Sequence, residues 1–240
     1  MRNMSYIIGA VVVVVALWFG AKEWSGEDPS PPPPVAAERP APAVTSGKEP
    51  QVTLSTPAEV EGPLGIMLAD RVMGRADAPV IMEEFSSLTC PHCATFHREA
   101  LPKIKAAYID TGKVQLIYRD YPLGALAMAA AMLARCGEPE RFFGFLEVLF
   151  RGQQSWATSK DPRKELGRVA RFAGIGKAEF EACLNNEALL KGIQGRAAEA
   201  QARYGIESTP TFLINGVKVA GALPFEDFQT VIEEALKSKK

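Results

Sequence analysis

The 240-residue sequence predicts an α/β fold that carries an inserted α-helical domain and follows an N-terminal transmembrane helix and a proline-rich linker. Three patterns lead there. A strand, helix, strand order runs from Val80 to Tyr118; helix-period segments with few β-branched runs fill Gly124 to Tyr204; and an Asn215-Gly216 turn signal joins two short apolar runs. With 47% hydrophobic and 23% charged residues, the chain has material for a core, which excludes a disordered or collagen-like whole. Lys+Arg 27 against Asp+Glu 28 gives a formal net charge of -1, without the positive field of a general nucleic-acid binder, so no nucleic-acid partner is expected.

From Tyr6 to Ala21 the chain carries no charge and is rich in Val and Ile, after a lone Arg2. This run of roughly 16 residues lies between a signal-peptide core and a full span. Leu17, Trp18 and Phe19 crowd its end where a signal peptidase needs small residues, and Trp18 and Trp24 suit an interfacial belt. An uncleaved anchor over residues 1–25 is therefore expected, with a cleaved signal peptide as the alternative; in both, the rest of the chain is exported. Residues 26–67 then read as a linker around Pro31-Pro32-Pro33-Pro34, which could reach ~60 to 80 Å if extended as polyproline II.

The folded body follows. Val80 to Phe85 is an apolar run suited to a buried strand, and a helix pattern extends from Pro91 through Tyr108, with Pro102 as a kink and Thr111-Gly112 as a stop. Val114 to Tyr118 is a second apolar strand, so the unit is a parallel, right-handed βαβ. Leu126 to Cys136, Arg141 to Phe150, Leu166 to Phe172, Lys177 to Leu184 and Leu189 to Tyr204 read as helices of an inserted block. Thr211 to Ile214 and Val217 to Ala220 flank Asn215-Gly216 as a hairpin. An amphipathic helix from Pro224 places Phe225, Phe228, Val231, Ile232 and Leu236 on one face.

The chemistry lies at Cys90-Pro91-His92-Cys93, where the first strand meets the helix. Haem attachment needs His directly after the second Cys, and Ala94 occupies that place. A metal site could use Cys90, Cys93 and His97, but no second C-x-x-C exists and the only other His lies inside the motif. A redox dithiol remains. With Cys90 as N-cap and Pro91 at N1, the free backbone N–H groups of His92 and Cys93 point at the Cys90 sulfur. The positive helix end and the His92 side chain favour the same thiolate. A dithiol whose reduced form is stabilised is an oxidant. Cys90 is expected to be the exposed, attackable sulfur and Cys93 its buried partner, while His97 reads as a surface residue.

The segment Glu84-Phe85-Ser86-Ser87-Leu88-Thr89 before the motif, the helical block and Thr209-Pro210-Thr211-Phe212 resemble the DsbA family of thioredoxin-fold thiol oxidases. The resemblance covers roughly Leu68 to Lys240. It implies a thioredoxin-like fold in two parts, 68–123 and 205–240, around a helical domain at 124–204. It also implies an enzyme that donates disulfides to reduced, unfolded exported polypeptides without a cofactor or metal, on the periplasmic side of the bacterial inner membrane. Reoxidation would fall to a DsbB-type, quinone-linked membrane oxidase. Pro210 would be the cis-proline facing the dithiol, and Thr209 would offer backbone groups to an extended substrate. Thr at that position also resembles isomerases and reductants of the wider fold, where many DsbA oxidases carry Val, so an isomerase or reductant is the alternative within the class. A metal-binding or chaperone-like module using Cys90, Cys93 and His97 is the alternative outside it. Glu84 matches the family's buried acid, which can relay a proton near Cys93. The remaining cysteines, Cys136 and Cys183, are expected to be bridged in an exported protein, similar to a second, non-catalytic disulfide in some DsbA relatives. A monomer is the default expectation.

Overall fold

A computed structural model describes residues 62–238, so the expected anchor and the linker up to residue 61 lie outside the described residues. Among the described residues no helix is long and apolar enough to cross a membrane. The last residues of the expected linker are not linker: Pro63–Leu68 form a helix, α1, begun by a proline at its N-terminus. Its Leu68 is buried against Gly192, where an added Cβ would lie 2.5 Å from Leu68 Cδ1.

The strands are β1 (Arg71–Met73), β2 (Val80–Ser86), β3 (Val114–Asp120), β4 (Thr211–Ile214) and β5 (Val217–Ala220). They form one sheet in the order β1-β3-β2-β4-β5, with β2 and β3 parallel and the other neighbours antiparallel. Between β2 and β3 the chain forms α2 (Pro91–Glu99) and α3 (Leu101–Ile104), then a π-helical turn over Lys105–Ile109. The single kinked helix expected here is thus broken at Ala100, because Pro102 has no N–H to continue the ladder. In the β4–β5 turn Asn215 and Gly216 have φ of 45° and 85°, as a type I′ turn demands.

Six α-helices and a 3-10 turn over Pro139–Arg141 stand between β3 and β4: α4 (Ala125–Cys136), α5 (Phe142–Arg151), α6 (Gln153–Ala157), α7 (Pro162–Phe172), α8 (Lys177–Leu184) and α9 (Glu187–Tyr204). The sequence pattern did not reveal α6 or β1, since five and three residues are too short for a period to show. α10 (Phe225–Lys237) closes the chain.

Alternation along β2 decides what faces the active helix. Val80, Met82, Glu84 and Ser86 share one side of the pleat, and Val114, Leu116 and Tyr118 of β3 join them in register. On that side Phe96, Leu101 and Ile104 pack with Phe212, Phe228 and Ile232. Phe85 and Leu213 turn to the opposite side, against Ala200 and Ile206. Cys90, Cys93 and Tyr118 belong instead to the core of the helical block, with Phe142, Phe150 and Trp156. The dithiol therefore stands where the sheet layer and the block share one core.

Candidate active site

Helix α2 begins at the dithiol because Cys90, still extended at φ −79°, ψ 119°, serves as N-cap, and Pro91 supplies the first helical φ. Pro91 and His92 are exposed, and Cys93 is fully buried. Cys90 keeps only 8% of its surface, so it is less open than the expected attackable sulfur. The cover comes from the chain around Pro210, buried behind a cis Thr209–Pro210 bond, and the Cys90 thiol donates to the Thr209 carbonyl at 3.2 Å.

The two thiols titrate in opposite directions. Cys90 falls from 9.0 to about 5, chiefly because the Cys93 thiol can donate to its thiolate. Burial opposes that; the Thr209 hydroxyl and the backbone N–H groups of Cys93 and His92 add to it. Thr209 Oγ1 is itself buried with no partner among the described residues, which leaves it free for the thiolate. Cys93 is pushed far up, first by burial, then by the neighbouring Cys90 thiolate, with the Glu84 charge adding to the rise. His92 acts on Cys90 through its backbone. Its side chain is exposed.

Behind Cys93 lies a buried polar group of residues. Glu84 has no exposed surface, and its Oε1 is 2.9 Å from His97 Nε2. His97 is not the surface residue expected: its side chain is 6% exposed and its ring stacks on Phe150 of α5 at 4.1 Å. Tyr118 is buried, and burial holds its phenol well above the ordinary range. Ser86 Oγ is within reach of Cys93 and Tyr118 without a well-formed hydrogen bond to either.

Gln153 of α6 is a further site residue that sequence reasoning missed. Its buried Nε2 donates to the carbonyls of Leu88 (2.8 Å) and Cys90 (2.9 Å), holding the loop that delivers the dithiol. No sequence signal marks it, since its partners are 63 to 65 residues away. His97 did have a signal: four residues after Cys93, it shares that residue's helix face.

Cys136 and Cys183 form a disulfide between α4 and α8, with Cα atoms 6.0 Å apart. Among the described residues no group of three His, Cys, Asp or Glu side chains is placed to hold a metal ion. The proposed third metal ligand, His97, instead gives its Nε2 to Glu84.

A thioredoxin family model, Thioredoxin_4, matches residues 67–234. A Rickettsia conorii relative, provisionally named a protein-disulfide oxidoreductase, is 34% identical over 175 residues, 71% of this chain and 62% of that protein. The match thus spans about three-fifths of that relative's length. Among solved structures, alpha-DsbA1 of Wolbachia pipientis is 34% identical with a TM-score of 0.66, covering 71% of this chain and 92% of that one. BdbD of Bacillus subtilis is 26% identical with a TM-score of 0.64, covering 70% and 93%. With a Cys-Pro-His-Cys dithiol at a helix N-terminus, a cis-proline against it and this likeness over most of the folded body, the chain belongs to the DsbA family of thioredoxin-fold thiol:disulfide oxidoreductases.

Proposed function

We propose that this protein is a thiol:disulfide oxidase that donates its Cys90–Cys93 disulfide to reduced, unfolded exported polypeptides. One arrangement carries the reading: Cys90 caps the N-terminus of α2 beside the fully buried Cys93, and the Cys93 thiol, the Thr209 hydroxyl and the helix N–H groups draw its pKa down to about 5. Such a group is a good leaving group, and its stabilisation favours the reduced state, so the disulfide is readily given away. A substrate thiolate attacks Cys90 Sγ, the S–S bond breaks, and Cys93 leaves and takes a proton. A second substrate thiolate then attacks the substrate sulfur of the mixed disulfide, and Cys90 leaves as thiolate. The substrate loses two electrons and two protons; the protein keeps both electrons and one proton, and the other proton goes to solvent.

Thr209 and buried Pro210 border Cys90 ahead of β4, and their backbone would pair with an extended substrate segment. The reading places the body on the periplasmic side of the bacterial inner membrane, held by residues 1–25. A monomer is reoxidised there by a DsbB-type, quinone-linked oxidase. The test mixes the oxidised full-length protein with a reduced, unfolded polypeptide and follows free thiols. Stoichiometric loss of substrate thiols is expected from the wild type and none from Cys93→Ala, which has no Cys90–Cys93 disulfide to donate. No loss, together with a Cys90–Cys93 pair kept reduced in cells, would replace this reading with a reductant or isomerase.

A further inference from the structure

We infer that His97 holds the proton for the dithiol reaction, acting through Glu84, so that the thiolate expelled at Cys93 is protonated from an internal imidazole–carboxylate pair. The inference rests on the dithiol exchange proposed above and deepens it. Each turnover creates or consumes one thiolate at Cys93, which has no exposed surface, so a proton must reach it through side chains. The available groups are few. From β2 come Glu84 and Ser86, from β3 Tyr118, and from α2 His97 itself, whose ring lies edge-on to Phe96 and Tyr118 at 5.5 and 6.2 Å. The face of α5 presents Phe150, and its charged Glu147 and Arg151 pair with each other at the surface. Asp120, at the end of β3, is paired through Oδ2 with the Arg135 guanidinium, which does not give up its proton, while its Oδ1 is buried with no partner among the described residues.

Only Glu84 and His97 of this set are acid–base groups in direct contact with each other, and the rest of Glu84 is uncommitted. Its Oε1 lies against His97, whereas its Oε2 is buried with no partner among the described residues, as are Ser86 Oγ and Tyr118 Oη. Glu84 is also near enough for its charge to oppose a Cys93 thiolate. The step balances as follows in the oxidising direction. A thiolate attacks Cys90 Sγ, the Cys90–Cys93 bond breaks, and its electron pair goes to Cys93 Sγ. The proton shared by His97 and Glu84 passes through the carboxyl to that sulfur, leaving neutral imidazole beside carboxylate. The pair regains a proton from solvent at the 6% exposed edge of His97. Reoxidation runs the same transfer backwards, with the pair taking the Cys93 proton.

The test compares two reactions of the full-length protein. Reduction of the oxidised form by excess glutathione expels Cys93; alkylation of the reduced form by iodoacetamide uses the Cys90 thiolate alone. His97→Gln keeps an amide donor for Glu84 but cannot carry the proton. Reduction should slow about 10- to 100-fold, and the pH-dependent limb that remains after correction for glutathione thiolate should vanish, with alkylation unchanged within about twofold. Glu84→Gln should lose as much, and the double variant no more than either single one, since the two residues act as a unit. His97→Phe, which refills the space against Phe150, should lose the limb too. A wild-type rate and pH profile in both His97 variants would overturn the inference, and so would equal slowing of reduction and alkylation. Failure of the wild type to oxidise an unfolded protein, with the glutathione reaction and its His97 dependence intact, would remove the oxidase reading and leave this one standing.

Discussion

Cys90 and Cys93 are three residues apart and differ in protonation because one faces donors and the other faces a core. The Cys90 thiolate collects the Cys93 thiol, the Thr209 hydroxyl and two backbone N–H groups. Ultraviolet titration of the reduced protein should show a thiolate with a midpoint of about 5, and Thr209→Val, which removes one donor, should move the midpoint upward. The same shift sets a stability profile. Because the folded value lies below the unfolded 9.0, the stabilisation of the reduced form is complete above pH 9 and is lost as pH falls toward about 5. The oxidised form has no such thiol. The stability of the reduced form relative to the oxidised one should therefore rise between pH 5 and 9, by at most about 1.4 kcal/mol per pH unit, in paired denaturant titrations. A flat difference would mean that Cys90 is an ordinary thiol.

At the scale of elements, α2 is held from three sides: the sheet through Glu84, α5 through Phe150 and α6 through Gln153. The short α6 carries the loop between β2 and α2, because Gln153 donates to the Leu88 carbonyl and shares the Cys90 carbonyl with the Ala94 N–H. Gln153→Leu would leave both without that partner. Unfolding in urea should show a loss of about 1 to 3 kcal/mol with an unchanged m-value, the cost of leaving the buried Leu88 carbonyl unsatisfied. Elements with several turns or a strong turn signal were legible in the sequence, as with α4, α8 and the Asn215-Gly216 hairpin. β1 was not, since three residues such as Arg71–Met73 become a strand only by pairing with Leu116–Tyr118. The buried faces of α2 were half legible: Cys93 read as buried, while His97 was taken for surface because its type outweighed its position.

At the scale of the molecule, the helical block is tied to itself by one bridge and to the sheet by buried charge. Cys136–Cys183 closes a separation of 47 residues between α4 and α8. Replacing both with Ala should cost about 4 kcal/mol of stability by the loop-entropy argument, read from the guanidinium midpoint. Arg135 of α4 is buried against Asp120 at the end of β3, and its guanidinium also donates to the carbonyls of Met67 (2.8 Å) and Ala69 (2.9 Å). That contact is why the folded body starts before Leu68: α1 leaves carbonyls that a buried arginine takes up.

The sequence by itself determined the dithiol, its place at a strand-to-helix junction and the sense of the Cys90 shift, because the Cys93 thiol, the N-cap, the N1 proline and the free backbone N–H groups are all local to four residues. It also determined the order of the long elements, through periodicity. Only the tertiary structure decided that Glu84 meets His97, that Gln153 holds the active loop and that Cys90 is nearly covered. Those contacts join residues 13, 63 and 119 positions apart, and burial, which turns an ordinary side chain into a functional one, is a property of what the rest of the chain packs against it.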